Sequence, residues 1–65
     1  MTYWLNIHWA DGTESNYSDS QTPVYKTRAA ALKNGAEWSE ATGCPVYVIG
    51  EGTVVAEFRE GKEVR

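Results

Sequence analysis

The stretch that most limits how this chain can fold is Pro45–Phe58, P-V-Y-V-I-G-E-G-T-V-V-A-E-F. It holds two β-type runs, Val46–Ile49 and Thr53–Phe58, joined at Gly50-Glu51-Gly52. Side chains alternate between the faces of a strand, so apolar residues on both parities make a hairpin that is apolar on both faces. A three-residue loop pairs Val48 with Val54 and Val46 with Ala56. A two-residue loop pairs Ile49 with Val54 and Tyr47 with Ala56. In both cases one face carries Val54, Ala56 and Phe58. The other keeps Val55, with Tyr47 and Ile49 or with Val46 and Val48.

Such a hairpin needs cover, and the chain has little to give. It has 65 residues, enough for one domain over 1–65, and chains of this size bury only about 60% of the surface exposed when unfolded. One cysteine, Cys44, rules out an internal disulfide, and with His8 as the sole histidine no tetrahedral zinc site can be assembled from Cys and His alone. No cofactor or metal is expected. The free thiol, the absence of a basic, apolar leader at Met1–Trp4 and the lack of a ~20-residue apolar span predict a cytoplasmic protein.

The remaining elements follow in order. Thr2–Ala10 reads as a strand with Tyr3, Leu5, Ile7 and Trp9 on the core face and Trp4, Asn6 and His8 on the other. Ala10-Asp11-Gly12-Thr13 is a turn. With Gly12 in a left-handed bulge, Leu5 faces Tyr17 and Ile7 faces Ser15, the register that buries Tyr17. Thr13–Ser18 is a polar edge strand, and 18–23 is a loop leading to a short extended piece at Val24-Tyr25. Thr27 is the predicted N-cap of a helix that Gly43 and Pro45 end. At 100° per residue its inner stripe is Ala31, Leu32, Gly35, Ala36 and Ser39, with Ala29 and Thr42 at the ends; Lys33, Glu37 and Glu40 lie opposite, and Trp38 at the edge. A stripe this small asks the sheet for bulk and lets the helix sit close, which would explain Gly35. The polar tail 60–65 reads as frayed. The expected fold is α+β: a four-stranded antiparallel sheet, β-β-α-β-β, with the helix on one face.

Catalytic constellations are missing: there is no Ser/His/Asp or Cys/His set and no phosphate-binding glycine loop. The chain is therefore read as non-enzymatic. Cys44 follows a helix C-terminus, where the dipole disfavours a thiolate, and reads as a small buried residue. Lys26 and Arg28 flank the positive helix end against the macrodipole. Surface charges tolerate this, and the alternative use is an anion site of Lys26, Thr27 and Arg28. The stronger candidate is geometric. With a helix on one face only, the far face keeps a patch that reads as partner-binding: Trp4, Asn6, His8, Tyr47, Ile49 and Val55. Cover by the loop at 19–25, by the tail, or by curling of Trp4 onto Phe58 would remove it.

The Tyr25-Lys26-Thr27-Arg28-Ala29-Ala30-Ala31 helix start and the Gly43-Cys44-Pro45-Val46-Tyr47-Val48 lead into the hairpin resemble small β-β-α-β-β domains of unknown function in bacteria and their phages. Some phage anti-CRISPR proteins have a similar size and layout. The resemblance implies an accessory or inhibitor protein in a host cytoplasm that binds another protein or a second copy of itself. The alternative is nucleic-acid binding through the exposed aromatics Trp4, His8 and Tyr47. The net charge of −3, with six basic residues dispersed, argues against duplex binding, which needs a basic face.

Overall fold

The computed structural model of the chain describes residues 2–17 and 24–64. Its helix, α1 (Arg28–Thr42), begins where Thr27, in extended conformation, accepts the Ala30 N–H on its hydroxyl at 3.2 Å. It ends where Gly43 turns left-handed (φ 72°) and donates its N–H to the Ser39 carbonyl. Both ends thus follow from side-chain chemistry legible in the chain. Ala31, Gly35 and Ser39 are buried and Leu32 and Ala36 half-buried, while Lys33, Glu37 and Glu40 face outward. Ala29, placed at the end of the inner stripe, is exposed.

The strands are β1 (Tyr3–His8), β2 (Glu14–Tyr17), β3 (Val46–Gly50), β4 (Thr53–Arg59) and β5 (Lys62–Glu63), in one antiparallel sheet of order β2-β1-β3-β4-β5. The architecture is α+β, with one helix on a five-stranded sheet among the described residues. β1 and β2 pair Leu5 with Tyr17 and Ile7 with Ser15, the register that Gly12 (φ 91°) permits. The Tyr17 side chain and the loop at 18–23 lie outside the described residues. At Tyr25 the chain rejoins the sheet, exchanging two backbone hydrogen bonds with Tyr3.

Two expectations are corrected. The tail is not frayed over the described residues 60–64. Glu60 (φ 54°) and Gly61 (φ 83°) make a tight turn, and β5 adds a fifth strand to the expected four. The turn is anchored: the Gly61 N–H donates to the Oγ of fully buried Ser39 at 2.8 Å, and the Val64 N–H donates to the Glu57 carbonyl. A polar sequence hid a left-handed pair that suits a two-residue hairpin loop.

The second correction concerns β3 and β4. Their loop has two residues, Glu51 (φ 52°) and Gly52 (φ 79°), and pairs Gly50 with Thr53 and Ile49 with Val54. The register then shifts, and Val48 pairs with Ala56, Tyr47 with Glu57 and Val46 with Phe58. Val55 is the extra residue of a β-bulge. A straight two-residue hairpin would carry Glu57 into the core opposite Val46; the bulge reverses the parity and buries Phe58 instead. Neither expected register holds along the whole ladder.

Tyr3, Leu5, Ile7, Val46, Val48, Ala56 and Phe58 therefore form the core under α1, joined by Tyr25, Ala31 and Cys44. Trp9 packs at its margin, its Nε1–H donating to Ser15 Oγ at 2.9 Å. At Gly35 the helix comes so close that an added Cβ would lie 3.1 Å from Val48 Cγ2 and 3.2 Å from the Phe58 ring. Large strand residues fill what small helix residues leave.

Candidate functional site

Strand alternation sends Trp4, Asn6 and His8 of β1 to the face away from α1, and register sends their neighbours with them. Level by level, Trp4 lies beside Ile49, with Val54 beyond; Asn6 lies between Asn16 and Tyr47, with Glu57 beyond; His8 pairs with Glu14. Arg59 of β4 and Lys62 of β5 pair at the far edge. Of the six residues assigned to this patch from sequence, five come together: Trp4, Asn6, His8, Tyr47 and Ile49, all half-buried. No described helix or strand lies over them.

Val55 does not join them. The bulge turns it to the helix side, where its Cγ1 lies 3.4 Å from the Cβ position of Gly50 and it packs on the core. Val54 takes its place, 39% exposed and paired with Ile49. Neither expected grouping holds: Val54 parts from Ala56 and Phe58 and joins Tyr47 and Ile49 on the far face, while Val55 lies on the helix side with the fully buried Val46 and Val48. Nor does Trp4 curl onto Phe58, since the two occupy opposite faces. The tail extends the sheet edge through β5 without crossing the patch.

The polar part of the face is internally organised. Asn6 Nδ2 donates to Glu14 Oε1 and Asn16 Oδ1, each at 3.2 Å. The His8 ring stands edge-on to Tyr47, with centroids 4.7 Å apart and planes at 62°. The Arg59 Nε–H donates to Glu57 Oε2 at 2.6 Å. That hydrogen bond and the Glu57 charge, with a smaller contribution from Tyr47, hold the guanidinium pKa above its ordinary value. Glu14, Asn16, Val54, Glu57 and Arg59 went unrecognised in the sequence; Glu14 and Asn16 follow from the β1–β2 register, while Val54, Glu57 and Arg59 depend on a bulge that no single residue announces.

Lys26, Thr27 and Arg28 lie together at the start of α1 and are all exposed. The Thr27 oxygen already caps the helix, and no acidic residue occupies the first turn. Among the described residues no buried polar side-chain atom lacks a partner, so no second group is aimed at this end. Cys44 is buried, its thiol turned toward the Thr42 carbonyl at 3.6 Å. A shallow hollow of about 220 Å³ on the outer flank of α1 is lined by Asn34, Glu37, Trp38 and Ala41. Asn34 commits its amide to the Ala30 carbonyl at 2.8 Å. Among the described residues no group of three His, Cys, Asp or Glu could hold a metal ion, and no helix is long and apolar enough to cross a membrane.

No protein-family model, curated protein or solved structure matches the chain.

Proposed function

We propose that this chain is a small protein-binding module without catalytic activity of its own, an accessory or inhibitor protein of the kind phages and mobile elements carry, working in a host cytoplasm. It docks another protein chain, a second copy included, through the sheet face opposite α1. The observation that supports this most is the Trp4–Ile49–Val54 row, apolar side chains aligned on a face that no described element covers. A Trp with branched neighbours, rimmed by Asn6, His8, Glu14, Glu57 and Arg59, has the make-up of an interface centre with a polar rim.

The nucleic-acid alternative would stack bases on Trp4, His8 and Tyr47. Two features oppose it: Glu14 and Glu57 repel phosphates, and the His8 ring stands edge-on to Tyr47. Stacking sites on electrostatic grooves lose affinity steeply with salt.

The test pairs the wild-type chain with Trp4→Ala/Val54→Asp. Both should unfold cooperatively, because neither position belongs to the buried core. Wild type should retain a discrete partner at near-stoichiometric level, or itself, and the variant should lose it. Equal retention by the two proteins overturns the reading, and binding to single-stranded nucleic acid that collapses with ionic strength replaces it.

A further inference from the structure

The open face is polarised in two directions. Along the strands, one end carries the apolar row Trp4–Ile49–Val54 and the other carries Glu14–His8 and Arg59–Lys62. Across the strands, the acid Glu14 sits on the β2 edge and the bases Arg59 and Lys62 on the β4–β5 edge. Resting on the docking reading above, we propose that the occupant of this face is a second copy of the chain, packed face to face about a two-fold axis parallel to β3.

The charge pattern selects that axis. A two-fold along the strands keeps every level opposite its own level and inverts the strand order. It lays β2 over the partner's β5, β1 over the partner's β4, and β3 over β3. Trp4 then meets the partner's Val54, Ile49 meets Ile49, and Tyr47 meets Tyr47. Glu14 meets the partner's Lys62, and the Asn6 amide faces the partner's Glu57. His8 falls against the partner's Arg59, whose planar guanidinium stacks on rings. The other in-plane two-fold, across the strands, sets Glu57 on Glu57 and the apolar row on the charged one. Both in-plane axes keep the strands of the two sheets aligned, as in face-to-face sheet packing, so the charge pattern makes the choice between them.

Size sets the strength. Strands of 6, 4, 5, 7 and 2 residues, at about 3.3 Å per residue and about 4.8 Å apart, give a face of about 380 Å², so two faces bury on the order of 800 Å². That lies below the standard size of specific interfaces and implies a weak, reversible dimer, populated in the upper micromolar range.

The test is sedimentation equilibrium of full-length wild type, Glu14→Lys, Lys62→Glu and an equimolar mixture of the two variants. Glu14 and Lys62 are exposed, so the fold should survive, and circular dichroism checks this. Wild type should dimerise. Each reversal alone, present twice in a symmetric dimer, should weaken association about tenfold. The mixture should regain wild-type strength through heterodimers, in which both cross-chain pairs again have opposite signs. The Glu14→Lys chain lacks the Asn6–Glu14 hydrogen bond in the mixture too, so recovery there reports the contact between chains. Monomer at every micromolar concentration, or a mixture no stronger than the single variants, overturns the proposal. If that happens while Trp4→Ala/Val54→Asp still abolishes capture of a different protein, the docking face stands and only its occupant is wrong; if capture is also unaffected, both fall.

Discussion

Gly35 and Gly50 show how the two layers are held at their separation. Replacing Gly35 by Ala adds roughly 1 kcal/mol of helix propensity. The new methyl, however, would press on Val48, which is fully buried, and on Phe58 at 3.1–3.3 Å. Overpacking of about 1–3 kcal/mol outweighs the gain, so Gly35→Ala should lower the denaturation midpoint in urea. Gly50→Ala should do more harm, because its Cβ would sit 2.7 Å from the Tyr3 ring. Another residue-scale effect is electrostatic. Asp11 accepts from Thr13 Oγ1 at 2.6 Å and from the Thr13 N–H at 3.0 Å, and these bonds, hydroxyl first, hold its carboxyl below the ordinary 3.8. A depressed carboxyl contributes stability that is present above its unfolded pKa and is lost as pH falls through the folded one. An NMR titration should find Asp11 still ionised where ordinary aspartates are half protonated, and Thr13→Val should move it back up.

At the scale of elements, the helix and the first hairpin were legible because each is marked by a single residue type with a mechanical reason. Thr27, Gly43 and Gly12 each supply a conformation or a bond that neighbouring residues do not. The β3–β4 pairing was not legible, because it turns on a competition: a two-residue loop is favoured at Glu51-Gly52, yet Glu57 must stay out of the core. One inserted residue satisfies both, and periodicity cannot locate it. This assignment is sharply testable. Val54→Asp should leave stability within about 0.5 kcal/mol, as for an exposed site. Val55→Asp should lower it by about 2–3 kcal/mol by placing a carboxylate against the core; equal effects at both positions would refute the bulge. The same loop holds a glutamate at φ 52°, where asparagine is easier to accommodate. Glu51→Asn should therefore raise stability by about 0.5–1 kcal/mol, read as a higher thermal midpoint. The fifth strand escaped notice for a related reason: Glu60-Gly61 looks like generic polar tail until Ser39, more than twenty residues away, is known to receive it.

For the whole molecule, a chain of 65 residues whose described elements cover one sheet face has little stability in reserve. Self-association through the open face would add to it by mass action, so the thermal midpoint should climb with protein concentration for wild type and stay flat for Trp4→Ala/Val54→Asp. The face carrying Trp4, Asn6 and His8 was foreseen from parity alone; Glu57, Arg59 and Lys62 of its frame were not, since they need the bulge and the order of five strands. That order also governs time. β1, made before α1, pairs along its inner edge with β3, made after it. On the ribosome the first hairpin must wait, one backbone edge unpaired, until α1 and β3 have emerged, whereas β3, β4 and β5 can zip up as consecutive neighbours. Non-local pairing of this kind slows folding and leaves a strand edge open to other nascent chains. Refolding should thus be limited by the docking of β1 onto β3, and until then the inner edge of β1 is the one that β3 must close.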